Sequence, residues 1–85
     1  MQKYLAKVYV SLKPTVNDPE GLTIRGALGT LGYDSVESVR AGKYFQIELD
    51  SATELEAADR VEGMCRQLLA NPVIEQYEFD LTCID

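Results

Sequence analysis

From Lys3 to Lys13 apolar residues occupy every even position, Tyr4, Ala6, Val8, Val10 and Leu12. A period of two predicts a strand with one buried face, and Pro14 ends it. The run D-P-E-G at Asp18 to Gly21 predicts a helix start, with a capping carboxylate, a proline in the first helical position and Glu20 in the first turn. The helix is expected to reach about Leu31, with Ile24, Leu28 and Leu31, and Ala27 between them, as its apolar stripe, and Gly32 as its stop. Gly26 and Gly29 each cost about 1 kcal/mol of helix propensity. Room for close packing and a simply weakened helix are equally good explanations of them.

Between Val36 and Asp50 the pattern predicts two strands hinged at Gly42-Lys43. Phe45, Ile47 and Leu49 alternate with Tyr44, Gln46, Glu48 and Asp50 in the second arm, and Val36 and Val39 mark a less regular first one. Ser51 to Glu54 has the spacing of a capping box and predicts a second helix, with Leu55, Ala58, Val61, Cys65, Leu68 and Leu69 at a 3.6-residue period. Asn71-Pro72 stops it. From Val73 to about Ile84 a last strand turns Tyr77, Phe79, Leu81 and Cys83 inward. The order β-α-β-β-α-β predicts one α+β domain over residues 1–85. The expected fold is a ferredoxin-like two-layer sandwich, an antiparallel four-stranded sheet with two helices on one face. The opposite face is expected to carry Leu5, Lys7, Tyr9, Tyr44, Gln46, Glu48, Glu78 and Asp80. That mixture of aromatic and charged groups fits a partner-contacting surface, although scattered tyrosines need no special explanation.

Eighty-five residues allow one core and no separate substrate cleft. A formal charge of −6, with the eight bases scattered, argues against nucleic acid as a partner. The chain has no histidine, which removes the commonest general base, the Ser/His and Cys/His nucleophile pairs and the commonest metal ligand. Cys65 and Cys83 have no neighbouring ligand residues and are expected to be buried reduced thiols. No segment approaches the roughly 20 apolar residues of a membrane span and no export signal is visible, so a cytoplasmic location is expected. The first strand-helix turn lacks the C-x-x-C of a metallochaperone, and no phosphate loop occurs. Glu54, Glu56, Asp59 and Glu62 fit a solvated helix face better than acid-base chemistry. Arg40 to Tyr44, two cations and an aromatic ring at the expected hairpin tip, could grip an acidic partner surface.

The chain as a whole resembles PurS, the small subunit of multi-subunit phosphoribosylformylglycinamidine (FGAM) synthase. The resemblance rests on V-Y-V-S-L-K-P at Val8 to Pro14, D-P-E-G at Asp18 to Gly21, R-A-G-K-Y at Arg40 to Tyr44, and C-R-Q-L-L-A-N-P-V-I-E-Q-Y at Cys65 to Tyr77. It implies a non-catalytic subunit of a glutamine-dependent ligase of de novo purine biosynthesis, bridging a PurQ-type glutaminase and a PurL-type synthetase and supporting ammonia transfer. No catalytic residue, metal or cofactor is then expected on this chain, and ATP, Mg and glutamine are used by the partner subunits. A homodimer or a dimer of dimers is implied as well, with Leu5, Tyr9 and Tyr44 as sheet-face contacts. The residues carried over as partner contacts are Lys13, Pro14, Asp18 and Pro19 in the first loop, Arg40, Gly42, Lys43 and Tyr44, and Asn71, Pro72 and Glu75 before the last strand. Structural duties compete for several: Asp18 caps a helix, Gly42 makes a turn, Asn71-Pro72 ends a helix. Only the cations have no such duty in the sequence. The alternative of another class is an ACT-like small-molecule-sensing module, disfavoured because Pro14 to Glu20 contains no glycine.

Overall fold

The computed structural model describes residues 1–84. The period-two pattern of the first segment becomes β1 (Gln2–Leu12), with Tyr4, Ala6, Val8 and Val10 buried along one face. β2 (Gly42–Ser51) and β3 (Glu75–Cys83) flank β1 on either side, each antiparallel to it. The helix α2 (Glu54–Met64), extended by a wider turn over Cys65–Leu69, crosses from β2 to β3 and covers β1. Val61 and Cys65 bury themselves on Ala6, Val8 and Val10, while Phe45, Ile47, Leu49, Phe79 and Leu81 border this core half-buried.

The sheet therefore has three strands rather than the expected four. Residues 36–41 form no ladder, and no hairpin tip lies at Gly42-Lys43. Val36 and Val39 are three apart, which gives the segment no inside face, and its carbonyls are used elsewhere: Arg25 Nε donates to Val36 O at 3.4 Å. Gly42 opens β2 instead of making a turn. A Cβ there would stand 2.6 Å from the Val10 carbonyl oxygen, so the close strand approach requires its glycine.

The helix α1 (Pro19–Thr30) begins as the sequence predicts, since the Asp18 carboxylate accepts from Gly21 N at 3.0 Å, and Gly32 (φ 98°) follows its end in the left-handed conformation. It does not lie on the sheet. Gly21 is its one buried residue, and Leu22, Ile24 and Leu31 are exposed, Leu31 by 73%. Gly26 and Gly29 have open space where a Cβ would be, so neither serves close packing within this chain. Residues 19–41 form an arm that leaves the sheet end. A strand of ~36 Å and a helix of ~18 Å end to end account for a longest dimension of 52 Å. The radius of gyration is 16.6 Å, where a compact chain of this length has about 12 Å.

Three smaller expectations also change. Ser51 is the fully buried last residue of β2 and donates to Thr53 O, and Thr53 is the cap of α2, accepting from Glu56 N at 3.1 Å. Leu55 and Leu68 are exposed, because the buried line of α2 is Ala57, Val61 and Cys65 and the wide turn, closed by Ala70 N donating to Cys65 O, brings Ala70 inward in place of Leu68. The last strand starts at Glu75 and leaves Val73 exposed; of the two free cysteines Cys65 is buried and Cys83 is exposed.

Candidate functional site

The strand register brings Ser11 opposite Gly42 and Leu12 opposite Glu75, so one end of the sheet gathers all three candidate segments. Asp18 is its anchor. Buried at 4% exposure, its Oδ1 accepts from Gly21 N and its Oδ2 from Ala41 N at 2.7 Å, which ties the start of α1 to the chain entering β2. Those two amide donors, with the Arg40 charge adding to them, hold its carboxyl below the usual range. Gly21 lets these strands of chain close up, because a Cβ there would lie 2.0 Å from the Val39 carbonyl oxygen.

The cations prove to have structural duties after all. Arg40 Nη2 donates to the carbonyls of Lys13 (3.0 Å) and Val16 (2.8 Å), Lys13 Nζ donates to Pro72 O at 2.8 Å, and Lys43 pairs with Glu75 at 3.3 Å. Sequence reasoning missed the duties of Arg40 and Lys13 because their acceptors are main-chain carbonyls, which leave no trace in residue type, and that of Lys43 because its partner Glu75 is brought to it only by the strand register. Asn71-Pro72 is a turn, as expected: Asn71 Oδ1 accepts from Val73 N, and Glu75 Oε1 accepts from Asn71 N. That amide, then Lys43, holds the Glu75 carboxyl below its ordinary pKa. Pro14, Pro19, Gly42, Asn71 and Pro72 are exposed around this knot, and Lys43 keeps about half its side chain in solvent. Tyr44 is not part of the knot. It sits on the open sheet face, its ring 5.2 Å from that of Tyr9, in the same face as half-buried Leu5 and flanked by Lys7, Gln46, Glu48, Glu78 and Asp80.

No group of three or more His, Cys, Asp or Glu placed to hold a metal ion occurs among the described residues. On the covered side, Tyr77 donates a short hydrogen bond to Glu62, which pushes the phenol's pKa up, and burial does the same to the Cys65 thiol. A buried thiol held protonated is a poor nucleophile. The arrangement is a tied-down scaffold with two exposed surfaces, the knot and the open sheet face.

The family model for PurS, phosphoribosylformylglycinamidine (FGAM) synthase, matches residues 5–83. The chain belongs to the PurS family. The phosphoribosylformylglycinamidine synthase subunit PurS of Synechocystis is 44% identical over 82 residues, 96% of this chain and 82% of that protein. The crystal structure of Methanocaldococcus jannaschii PurS superposes with a TM-score of 0.85 at 41% identity, covering 96% of this chain and 99% of that one. A chain of the PurLQS structure from Thermotoga maritima gives a TM-score of 0.89 at 30% identity, covering 96% and 100%. Both superpositions cover nearly the whole of this chain and so take in residues of the α1 arm as well as the sheet. The chain is thus a PurS subunit of FGAM synthase, an enzyme of purine biosynthesis. No helix among the described residues is long and apolar enough to cross a membrane.

Proposed function

We propose that this PurS chain is the non-catalytic adaptor of its synthase, working in the cytoplasm and bridging a PurQ-type glutaminase and a PurL-type synthetase so that ammonia passes from one to the other. One observation carries the reading: the fold of this chain, arm included, overlays the full length of a chain solved in a PurLQS structure. The chemistry of the chain supports it. With no histidine to act as a base, an ionised anchor carboxylate engaged by amides and a buried protonated thiol, the chain offers contact surfaces rather than reacting groups.

Ammonia freed into neutral water is mostly protonated and loses its nucleophilicity, so a subunit that aligns two active sites raises the rate without touching substrate. ATP, Mg and glutamine belong in this reading to the partner subunits. The exposed Pro14, Pro19, Asn71, Pro72 and Lys43 around the knot are the contacts we assign to those partners, with Asp18, Arg40, Lys13 and Glu75 holding the knot in shape. Reconstitution tests it. Omitting this chain from PurL and PurQ is expected to abolish glutamine-driven FGAM synthesis by at least about tenfold while leaving the rate with added ammonia unchanged. Equal glutamine-driven rates with and without the chain would refute the adaptor role.

A further inference from the structure

The helix α2 lies over the even-numbered residues of β1, and the odd-numbered ones belong to a face left open. The ladder fixes which side chains are neighbours there. Lys3 stands opposite Asp50 and Lys7 opposite Asp80, so two carboxylates each have a cation across the ladder. Glu48 and Glu78 do not, because their opposites are Leu5 and Tyr9. The ion pairs among the described residues are Lys43–Glu75 and Glu56–Arg60, which leaves both of these exposed carboxylates without one. The face therefore carries an excess of negative charge. In one row across it Tyr44, Tyr9 and Glu78 stand side by side. The two rings are 5.2 Å apart and tilted by 31°, with 41% of Tyr9 and 49% of Tyr44 in solvent. Gln46 Nε2 donates to the Tyr44 hydroxyl at 2.9 Å, which steadies that ring. Beside Tyr9 and Glu78 a hollow of about 320 Å³ extends to Ser11 and Gln76.

We propose that this row is the seat of an arginine side chain carried by an extended segment of a partner protein. An aromatic face attracts a cation through its quadrupole, and a carboxylate at the edge of the ring adds a charge-assisted hydrogen bond. A planar guanidinium uses both at once, lying on the Tyr9 and Tyr44 rings while it donates to Glu78, whereas an ammonium is a point charge that cannot stack. The Ser11 hydroxyl and the Gln76 side-chain carbonyl supply further acceptors in the hollow. Charge decides against the other occupants. A second copy seated on this face would set Glu48 and Glu78 against the same excess of carboxylates, a like-charge contact that costs affinity. An acidic segment or a phosphate meets the same repulsion, and an apolar one would bury Glu78 without a counter-charge. The rings implied by the family resemblance as contacts between copies are thus set among charges that favour a basic partner. An extended segment fits because its alternate side chains fall roughly 6.8 Å apart, the spacing at which Glu78 and Asp80 succeed one another on this face. The seat is separate from the knot, and the inference does not rest on the adaptor role.

Titration of the isotope-labelled full chain, followed by NMR, tests it without PurL or PurQ. The probes are an end-capped pentapeptide, Ser-Thr-Arg-Thr-Ser, and its twin in which citrulline, neutral and of the same shape, replaces the arginine. The backbone amide signals of Tyr9, Tyr44 and Glu78 are expected to move saturably, with a dissociation constant at least about tenfold lower for the arginine peptide. Glu78→Gln keeps the rings, and Tyr9→Ala with Tyr44→Ala keeps the carboxylate. All three positions are exposed, so each variant is expected to retain the far-ultraviolet circular dichroism and to lose most of the tenfold preference. Equal affinity for the two peptides, or no saturable shift with either, overturns the inference, as does a shift pattern centred on the knot. N-acetylarginine amide binding as tightly as the pentapeptide marks a small-molecule pocket, and a change in sedimenting mass on removing the two rings assigns the face to a second copy. Either result overturns the docking of a partner segment.

Discussion

Asp18 shows how much one side chain does in a small protein. Its two oxygens cap α1 and fasten Ala41, and the amide donors depress its pKa below the roughly 3.9 of an unfolded aspartate. A depressed pKa makes the folded state bind fewer protons than the unfolded one, so the contribution is complete above about pH 4 and is lost as pH falls through the folded-state value. The stability gap between wild type and Asp18→Asn is therefore expected to be widest near neutrality and to shrink on acidification. Urea unfolding at a series of pH values measures it. A gap that does not change with pH would show that the charge of the carboxylate is not what the knot uses.

Among the elements, those with their own periodic signal were legible and those shaped by distant main-chain atoms were not. β1, the second half of the predicted hairpin, both helices and the last strand all follow from alternation or a 3.6-residue stripe. The missing strand had only Val36 and Val39 to speak for it, and no residue type announces that Arg40 will bind the carbonyls of Lys13 and Val16. The site was legible as a set of segments, since all three gather at one sheet end, but not as chemistry: the cations read as free are engaged. The start of α2 was read two residues early, because Ser51-x-x-Glu54 and Thr53-x-x-Glu56 both have the capping spacing and burial of Ser51 in β2 decides between them. Thr53→Ala is accordingly expected to cost about 1 kcal/mol in thermal or urea unfolding through loss of the bond to Glu56 N. An unchanged midpoint would return the cap to Ser51.

At the scale of the whole molecule, shape was the property hardest to foresee. The local pattern specifies a helix with an apolar stripe after β1 without saying that it will stand clear of the sheet. A dilute solution of the Ile24→Glu, Leu31→Glu chain, in which two exposed apolar positions of the arm carry charge, is expected to scatter X-rays with a radius of gyration near the 16.6 Å of the single chain. A value near the 12 Å or so of a compact 85-residue protein would mean that the arm folds back on its own sheet. The outstretched helix also acts as a lever whose pivot is the packed contact between Gly21 and the Val39 carbonyl. A tilt of about 10° there swings the far end of an ~18 Å rod by roughly 3 Å, close to the width of an atom layer. A methyl group added at Gly21 therefore makes itself felt far from where it is added, as a misalignment at the distal tip.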